Sequence, residues 1–197
     1  MNGHTEHYLH ISTLILKWLA DKPEDINKMI DIVKWTKLHN GRLFIIGLGG
    51  SAGNASHAVN DFRKLCNIEA YAPTDNISEL TARANDEGFN TIFTGWLKVS
   101  QLNDKDCLFI LSVGGGNVEK HVSMAIVEAI NLAKQRKAKI IGIVGRDGGY
   151  TGMYVDACVI IPDPDAALVT PHTEGMQAVI WHLMVSSPLL QENKTKW

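Results

Sequence analysis

Residues 42–54, RLFIIGLGGSAGN, begin with a run of β-branched and aromatic residues, continue with a glycine turn and end in a segment that regains helical spacing. This order predicts a strand, a tight loop and a helix. The same unit recurs at 107–136, where CLFILS is followed by VGGGN and by an amphipathic segment with basic residues at its end. Basic side chains suit the C-terminal end of a helix, so we expect a helix directly after VGGGN.

Other apolar runs complete a predicted sheet. Short runs bounded by Gly, Pro or Asp predict five strands, near 42–47, 68–72, 107–112, 139–144 and 157–161. Strands that alternate with helices indicate an α/β fold, a three-layer sandwich with a mainly parallel sheet covered on both faces. Helical spacing predicts two leading amphipathic helices and a last helix from about Thr173 to Leu183. We expect one domain over residues 1–197, with an N-terminal helical extension at 1–40.

The composition argues against several classes of protein. Lys and Arg total 19 against 21 Asp and Glu, and no basic run exceeds two residues, so a nucleic-acid partner is not expected. No apolar stretch approaches the length of about 18 residues that spans a membrane, and no secretion signal is evident, so we expect no membrane association. Three widely spaced cysteines, Cys66, Cys107 and Cys158, are typical of a reducing compartment. These features predict a cytoplasmic protein.

Two glycine-rich loops follow predicted strands, where α/β proteins bind their ligands. The first loop contains Gly49, Gly50 and Ser51, and the second runs from Ser112 to Asn117 through Val113, Gly114, Gly115 and Gly116. Backbone amides of such loops can hold an anion, and phosphate is the expected guest. Neither loop has the spacing of a nucleotide-binding motif. Glycine could also serve only a tight turn.

Two pairs of side chains could carry chemistry. His57 and Asp61 stand four apart on the predicted helix after the first loop, so they leave one face and could hold a metal or share a proton, although a solvated surface pair is the commoner case. Glu174 and His182 are eight apart on the last helix, a rise of about 12 Å. Both can reach one ion only if the helix starts late or the two belong to sites on different subunits. His182, between apolar neighbours, could instead be a core histidine bonded to a backbone carbonyl.

Several motifs together resemble the sugar isomerase (SIS) domain family, and within it the phosphoheptose isomerases, over about residues 40–190. The most specific is SELTARANDEGFNTIF at 78–93, whose Ala84-Asn85-Asp86 would otherwise be interpreted as a polar turn after a helix. Beside it stand GGS with His57 six residues on, the loop at 112–117, and GIVGRDGG at 142–149. The resemblance implies a flavodoxin-like fold, a homotetramer, and interconversion of sedoheptulose 7-phosphate and D-glycero-D-manno-heptose 7-phosphate.

The resemblance also implies residue roles. Asp61 and His182 fall where the family has its catalytic pair, and a Zn²⁺ site would use His57, Asp61, Glu174 and His182. The expected substrate-binding residues are Gly49, Gly50, Ser51, Asn85, Asp86, Ser112, Val113, Gly114, Gly115, Gly116, Asn117 and Glu174.

The chain departs from the family pattern at four places. The loop at 112–117 lacks most of the family's hydroxyl donors, Leu48 stands where Asn is usual, and Glu174 stands where Gln is usual. Asp61 replaces a glutamate and is shorter by roughly an ångström, which matters for proton transfer. An isomerase of another phosphosugar, or a non-catalytic module that binds a phosphosugar or a protein partner, are the alternative functions. The pathway could be that of lipopolysaccharide, capsule or a nucleotide-heptose.

Overall fold

The computed structural model describes residues 3–195, which form five strands flanked by helices. The chain order of the elements is α1 His4–Asp21, α2 Glu24–Leu38, β1 Leu43–Gly47, α3 Gly50–Cys66, β2 Ala70–Tyr71, α4 Ile77–Asp86, α5 Ile92–Val99, β3 Cys107–Ser112, α6 Met124–Gln135, β4 Lys139–Val144, α7 Gly149–Tyr154, β5 Ala157–Ile160 and α8 Val169–Val185. Short 3₁₀ turns lie at Pro73–Asp75, Phe89–Thr91 and Ala166–Leu168. The five predicted strands are confirmed, and β2 is shorter than predicted.

The sheet has the order β2-β1-β3-β4-β5, and every pair of neighbours is parallel. The chain leaves β1 toward β2 on one side and returns to β3 on the other. This reversal is the topological switch point, where α/β folds form their ligand crevice. The loops that follow β1 and β3 therefore meet at the carboxyl edge of the sheet.

Alternate residues along each strand enter two cores, one on each face of the sheet. On one face Leu43, Ile45 and Phe109 pack with α1, α2, α3 and α8. On the other, Phe44, Ile46 and Ile110 pack with α5 and α6. Burial on both faces explains why β1 and β3 have no polar alternation. The α/β three-layer architecture is thereby confirmed.

The two N-terminal helices belong to the first core. Ile11, Ile15 and Leu19 of α1 are buried, as are Ile26 and Met29 of α2. The opposite side of α1 keeps apolar side chains at the surface, with Leu9 exposed by 60%. None of the described helices is long and apolar enough to cross a membrane.

Three element boundaries differ from the sequence prediction. The helix after β3 begins only at Met124, because Asn117 and Val122 first pair as an antiparallel bridge. The motif Ala84-Asn85-Asp86 is not a loop but the last turn of α4, which ends before the turn at Gly88. The last helix begins at Val169 and runs to Val185, longer than predicted at both ends.

Candidate functional site

Three side chains of α3 and α8 converge on one point. These two helices pack side by side on the sheet, so His57 and Asp61, one turn apart on α3, face His182 near the end of α8. Asp61 Oδ2 lies 3.8 Å from His57 Nε2 and 3.5 Å from His182 Nε2. The possible ligand atoms of the three residues all lie within 4.8 Å of one another. In the described part of the chain this is the group of His, Cys, Asp and Glu side chains arranged to hold a metal ion.

The carboxylate of Asp61 is buried and oriented by a neighbouring side chain. Its residue is only 4% exposed, and Asn60 Nδ2 donates a hydrogen bond of 2.8 Å to Oδ1. This contact leaves Oδ2 directed to the two imidazoles. An anionic group at this depth requires a partner of opposite charge or a proton, since burial without compensation is costly. A cation bound between Oδ2 and the two histidines would supply that partner.

The His182 ring is oriented by its own helix. Its Nδ1 lies 2.7 Å from the carbonyl oxygen of Ala178, so in the neutral tautomer that suits this contact Nδ1–H donates and the Nε2 lone pair points toward Asp61. The expectation of a bond to a backbone carbonyl is confirmed. The side chain is nevertheless 52% exposed, so His182 is not a core histidine.

Trp181 forms one wall of the group formed by His57, Asp61 and His182. The indole is fully buried, and the His57 ring packs edge-on against it with a centroid separation of 4.6 Å. Among the described residues, Trp181 Nε1 has no hydrogen-bond partner. The contact between Trp181 and His57 was not predictable from the sequence, because it depends on how α3 and α8 align.

Two of the three separations between ligand atoms, those from Asp61 to each histidine, fit a small divalent ion. Zinc binds nitrogen and carboxylate ligands at about 2.0–2.2 Å in a tetrahedron, which separates neighbouring ligand atoms by about 3.4 Å. The separations of 3.5 and 3.8 Å are close to this value. They are too long for strong direct hydrogen bonds. Asp61 is buried, whereas the side chains of His57 and His182 are about half exposed. The solvent-facing side of this group is therefore open to a substrate.

Glu174 lies apart from this group within the same chain. Its carboxylate rests against the first turn of α3, where a Cβ on Gly50 would overlap it. Because α8 is one helix from Val169 onward, Glu174 and His182 are separated by about 12 Å of helical rise. A late helix start therefore does not bring them together.

The first glycine loop is fixed by a buried polar network. Gly49 adopts φ +61°, a conformation that favours glycine, and serves as the N-terminal residue before α3. Ser51 is buried and its Oγ accepts a hydrogen bond from Gln177 Nε2. Asn54 Nδ2 donates to both Gln177 Oε1 and the carbonyl of Glu174. Gln177 and Asn54 lock α3 to α8, a role not recognised from the sequence.

Leu48 has a packing role instead of a polar one. It is partly buried against the core cluster that contains Phe44 and Ile46. An apolar residue at this position therefore supports the sheet beside the loop.

The second loop folds onto the turn between β4 and α7. Gly115 and Gly116 adopt φ +67° and +85°, and their carbonyl oxygens accept hydrogen bonds from the amides of Thr151 and Tyr150. The amide of Gly115 donates to Ser112 Oγ, and that of Asn117 donates to the Val122 carbonyl. The amides of Gly114 and Gly116 donate to none of the residues described. Only these two amides of the loop segment 114–117 are thus available to a ligand.

Asn85 and Asp86 lie at the end of α4, exposed, with Asn85 Nδ2 donating to Asp86 Oδ1 at 2.7 Å. The helix packs against α5 and the neighbouring 3₁₀ turns. The chain thus places these two side chains on a different element from the group on α3 and α8.

Comparison with known proteins agrees with this architecture. Residues 7–145 match the family model of the SIS domain. The lincomycin biosynthesis protein LmbN of Streptomyces lincolnensis is 30% identical over 73% of this chain, which spans about half (54%) of that protein. A phosphoheptose isomerase of Helicobacter hepaticus is 30% identical over 81% of this chain and 78% of its own length.

Among solved structures, phosphoheptose isomerase GmhA from Neisseria gonorrhoeae superposes with a TM-score of 0.77 over 93% of both chains, at 24% identity. This likeness shows a common fold. Together with the family match over most of the sequence, it shows that the chain belongs to the SIS domain family.

Proposed function

We propose that this protein is an aldose–ketose isomerase that converts sedoheptulose 7-phosphate to D-glycero-D-manno-heptose 7-phosphate. The observation that carries the proposal is the buried carboxylate of Asp61, with its Oδ2 between the Nε2 atoms of His57 and His182. Isomerisation moves a proton between adjacent carbons through an enediolate, so it needs a base, an acid for the oxygens and stabilisation of a negative oxygen. The names of the curated relatives agree with this activity.

Asp61 is the proposed base. Asn60 orients its carboxylate through Oδ1. Oδ2 has two lone pairs, so one can face the histidines or an ion while the other accepts the proton from one sugar carbon and returns it to the next. His182 Nε2 carries the one free lone pair of its ring, because Nδ1 is committed to the Ala178 carbonyl. It would move the proton between the two oxygens when no ion occupies it, and would hold the ion when one is bound. Uptake of one proton by Asp61 and its return leave the net charge of the protein unchanged over a turnover.

We propose Zn²⁺ as the metal, held in this chain by His57, Asp61 and His182. When bound, the ion would polarise the carbonyl and hydroxyl oxygens of the sugar. Glu174 would complete the ligand set from a neighbouring subunit, since the geometry of α8 keeps it away from the three residues of its own chain.

The glycine loops are the proposed substrate-binding elements. Gly49, Gly50, Ser51 and Glu174 would line the sugar, and Asn85 and Asp86 would bind its hydroxyl groups. The loop segment 112–117 would hold the phosphate, mainly through the two unpaired amides of Gly114 and Gly116. Val113 offers no hydroxyl, so backbone donors carry more of the binding than in a serine-rich loop.

We propose a homotetramer in the cytoplasm. Apolar side chains remain exposed on α1 and α8, including Leu9, Leu14 and Leu183, and contact between subunits would cover them. The three free cysteines suit a reducing compartment. The sugar phosphate produced would feed lipopolysaccharide, capsule or nucleotide-heptose synthesis.

Incubation with sedoheptulose 7-phosphate, with and without Zn²⁺, tests the activity. We expect NMR to detect the aldose, and removal of Zn²⁺ by a chelator to lower the rate reversibly. Asp61→Asn is the control, and it should lower the rate by a factor of about 10²–10⁴. Tight binding of the sugar phosphate without any turnover would instead favour a non-catalytic phosphosugar-binding module. A monomeric mass in solution scattering would contradict the tetramer.

A further inference from the structure

A cavity of about 630 Å³ lies beside the second glycine loop, on the side of β4 and β5. Its lining includes Gly114, Gly116, Lys120 and Arg146. Arg146 belongs to the motif GIVGRDGG, which the proposed activity leaves without a chemical role. The cavity thus brings two cationic side chains to the two glycines whose amides are unpaired.

The lining holds as many carboxylates as cations, but neither cation is ion-paired with one of them. Among the described residues, the Lys120 ammonium and the Arg146 guanidinium form no hydrogen bond or ion pair. Two carboxylates, Asp147 and Asp163, also line the cavity, but Asp147 Oδ1 accepts a hydrogen bond from the amide of Gly149 instead. Two unpaired cations and two unpaired amides form a donor set that matches a phosphate group.

Arg146 lies beside the second glycine loop. It adopts φ +53°, a left-handed conformation that Gly or Asn would adopt at lower cost. Its Cδ lies 3.9 Å from the position that a Cβ on Gly114 would occupy. The guanidinium stem therefore lies along the loop whose amide is unpaired.

We infer that Arg146 and Lys120 bind the phosphate of the sugar phosphate in this cavity, supplying the charge that a loop without hydroxyl donors lacks. The inference rests on the proposed function for the identity of the ligand. It adds to the loop two side chains that determine specificity for a phosphorylated substrate. Arginine offers bidentate contacts to phosphate, and lysine adds a second positive charge.

The test compares Arg146→Asn with Lys137→Asn by calorimetric titration of inorganic phosphate. Lys137 is a matched control because it is also cationic, exposed and left-handed, with φ +59°. It follows the C-terminal end of α6, about 18 Å of helix from the loop. Asparagine suits both backbone positions, so the two variants should fold alike.

We expect Arg146→Asn to weaken phosphate binding by about 10- to 100-fold, the usual size for loss of a charged hydrogen-bond partner. Lys137→Asn should stay within about twofold of wild type, since charge loss at that distance is screened. Gly114→Asp is a second variant, which places a carboxylate in the cavity where a Cβ meets only the Arg146 stem. It should weaken phosphate binding as well. Equal affinity in all variants would overturn the inference.

Kinetics with sedoheptulose 7-phosphate separate this inference from the proposed activity. In an active enzyme, Arg146→Asn should raise KM by a factor similar to its effect on phosphate binding and leave kcat within about threefold, because the group on α3 and α8 is intact. An unchanged KM would show that the cavity does not serve the substrate. If wild type turns over no sugar phosphate, the proposed activity fails, and the phosphate titration still decides whether the cavity binds the anion.

Discussion

At the scale of single residues, the partners of the two Asp61 carboxylate oxygens determine how the carboxylate is oriented. Asn60 occupies Oδ1, while Oδ2 lies 3.5 Å from His182 and 3.8 Å from His57. A carboxylate fixed in this way is oriented before the substrate arrives. Orientation of this kind supplies much of the advantage of an enzymatic base.

Asp61→Asn and His182→Asn should each lower kcat by a factor of about 10²–10⁴, the usual size of a general acid–base contribution. The double variant should be little worse than either single one, because both groups act on one proton path. KM should change far less. Steady-state kinetics of the three variants check this, and fully multiplicative losses would show that the two residues act independently.

Asp61→Glu should lower kcat. The existing separations already match a shared cation, and an added methylene would move the carboxylate by about 1 Å, away from Asn60 or into the imidazoles. Turnover and zinc affinity of the variant give the measurement. A rise in turnover would indicate that aspartate is a handicap at this position.

The sequence predicted part of this site. The spacing of His57 and Asp61 placed both on one helical face, and the eight-residue interval from Glu174 to His182 predicted their separation; both features are present in the structure. The positions of Gln177 and Trp181 around the site could not be predicted. Their contacts arise from the alignment of two helices that are more than a hundred residues apart in sequence.

At the scale of elements, the first turn of α3 must leave space for Glu174. Gly50 provides it, because a Cβ at this position would overlap the Glu174 carboxylate, whereas a Cβ on Gly53 would meet open space. The absence of a side chain therefore leaves space for Glu174 at Gly50, whereas at Gly53 no neighbouring atom requires it.

Gly50→Ala should displace the Glu174 side chain and alter KM or metal affinity while the protein still folds, since the flexible end of the glutamate can move. Gly53→Ala is the control, and should raise the free energy of unfolding by about 0.5–1 kcal/mol through helix propensity. Urea unfolding and kinetics of both variants provide the check. Identical kinetics for the two variants would mean that Glu174 has no part in the site.

The strands were predictable because parallel strands buried on both faces read as continuous apolar runs. The edge strand β2 shortens to Ala70–Tyr71, since it pairs with β1 alone. The late start of α6 was not predictable from helical spacing. It depends on the Asn117–Val122 bridge and on left-handed backbone at His121 and Ser123, at φ +52° each.

At the scale of the whole molecule, the packing of the chain keeps the three cysteine thiols protonated. Burial raises the pKa of Cys66 from 9.0 to about 11 and that of Cys158 to about 12, and it also raises the pKa of Cys107. Because an unfolded thiol ionises at lower pH, this contribution to stability is complete below pH 9.0 and is lost as the pH rises toward 11 for Cys66.

Thiol reagents should therefore label the folded protein slowly at pH 8, where a pKa of about 11 leaves about 10⁻³ of Cys66 as thiolate. Unfolding in urea should make all three cysteines react at the rate of free thiols. Mass spectrometry after timed quenching gives the rates. A cysteine that reacts equally fast before and after unfolding would contradict the burial described above.

The buried indole of Trp181 gives the protein a fluorescent reporter of its own. Its ring centroid lies 4.6 Å from that of His57 and 3.5 Å from that of His182, whereas Trp18, Trp35 and Trp96 are partly exposed to solvent. A buried indole emits at shorter wavelength than solvent-exposed indoles do. The emission of Trp181 can therefore be isolated at the short-wavelength side of the spectrum. Binding of a proton or a cation by the imidazoles of His57 and His182 should quench the Trp181 emission. Trp181→Phe should remove this response. Binding at the site can therefore be followed by fluorescence without an added label.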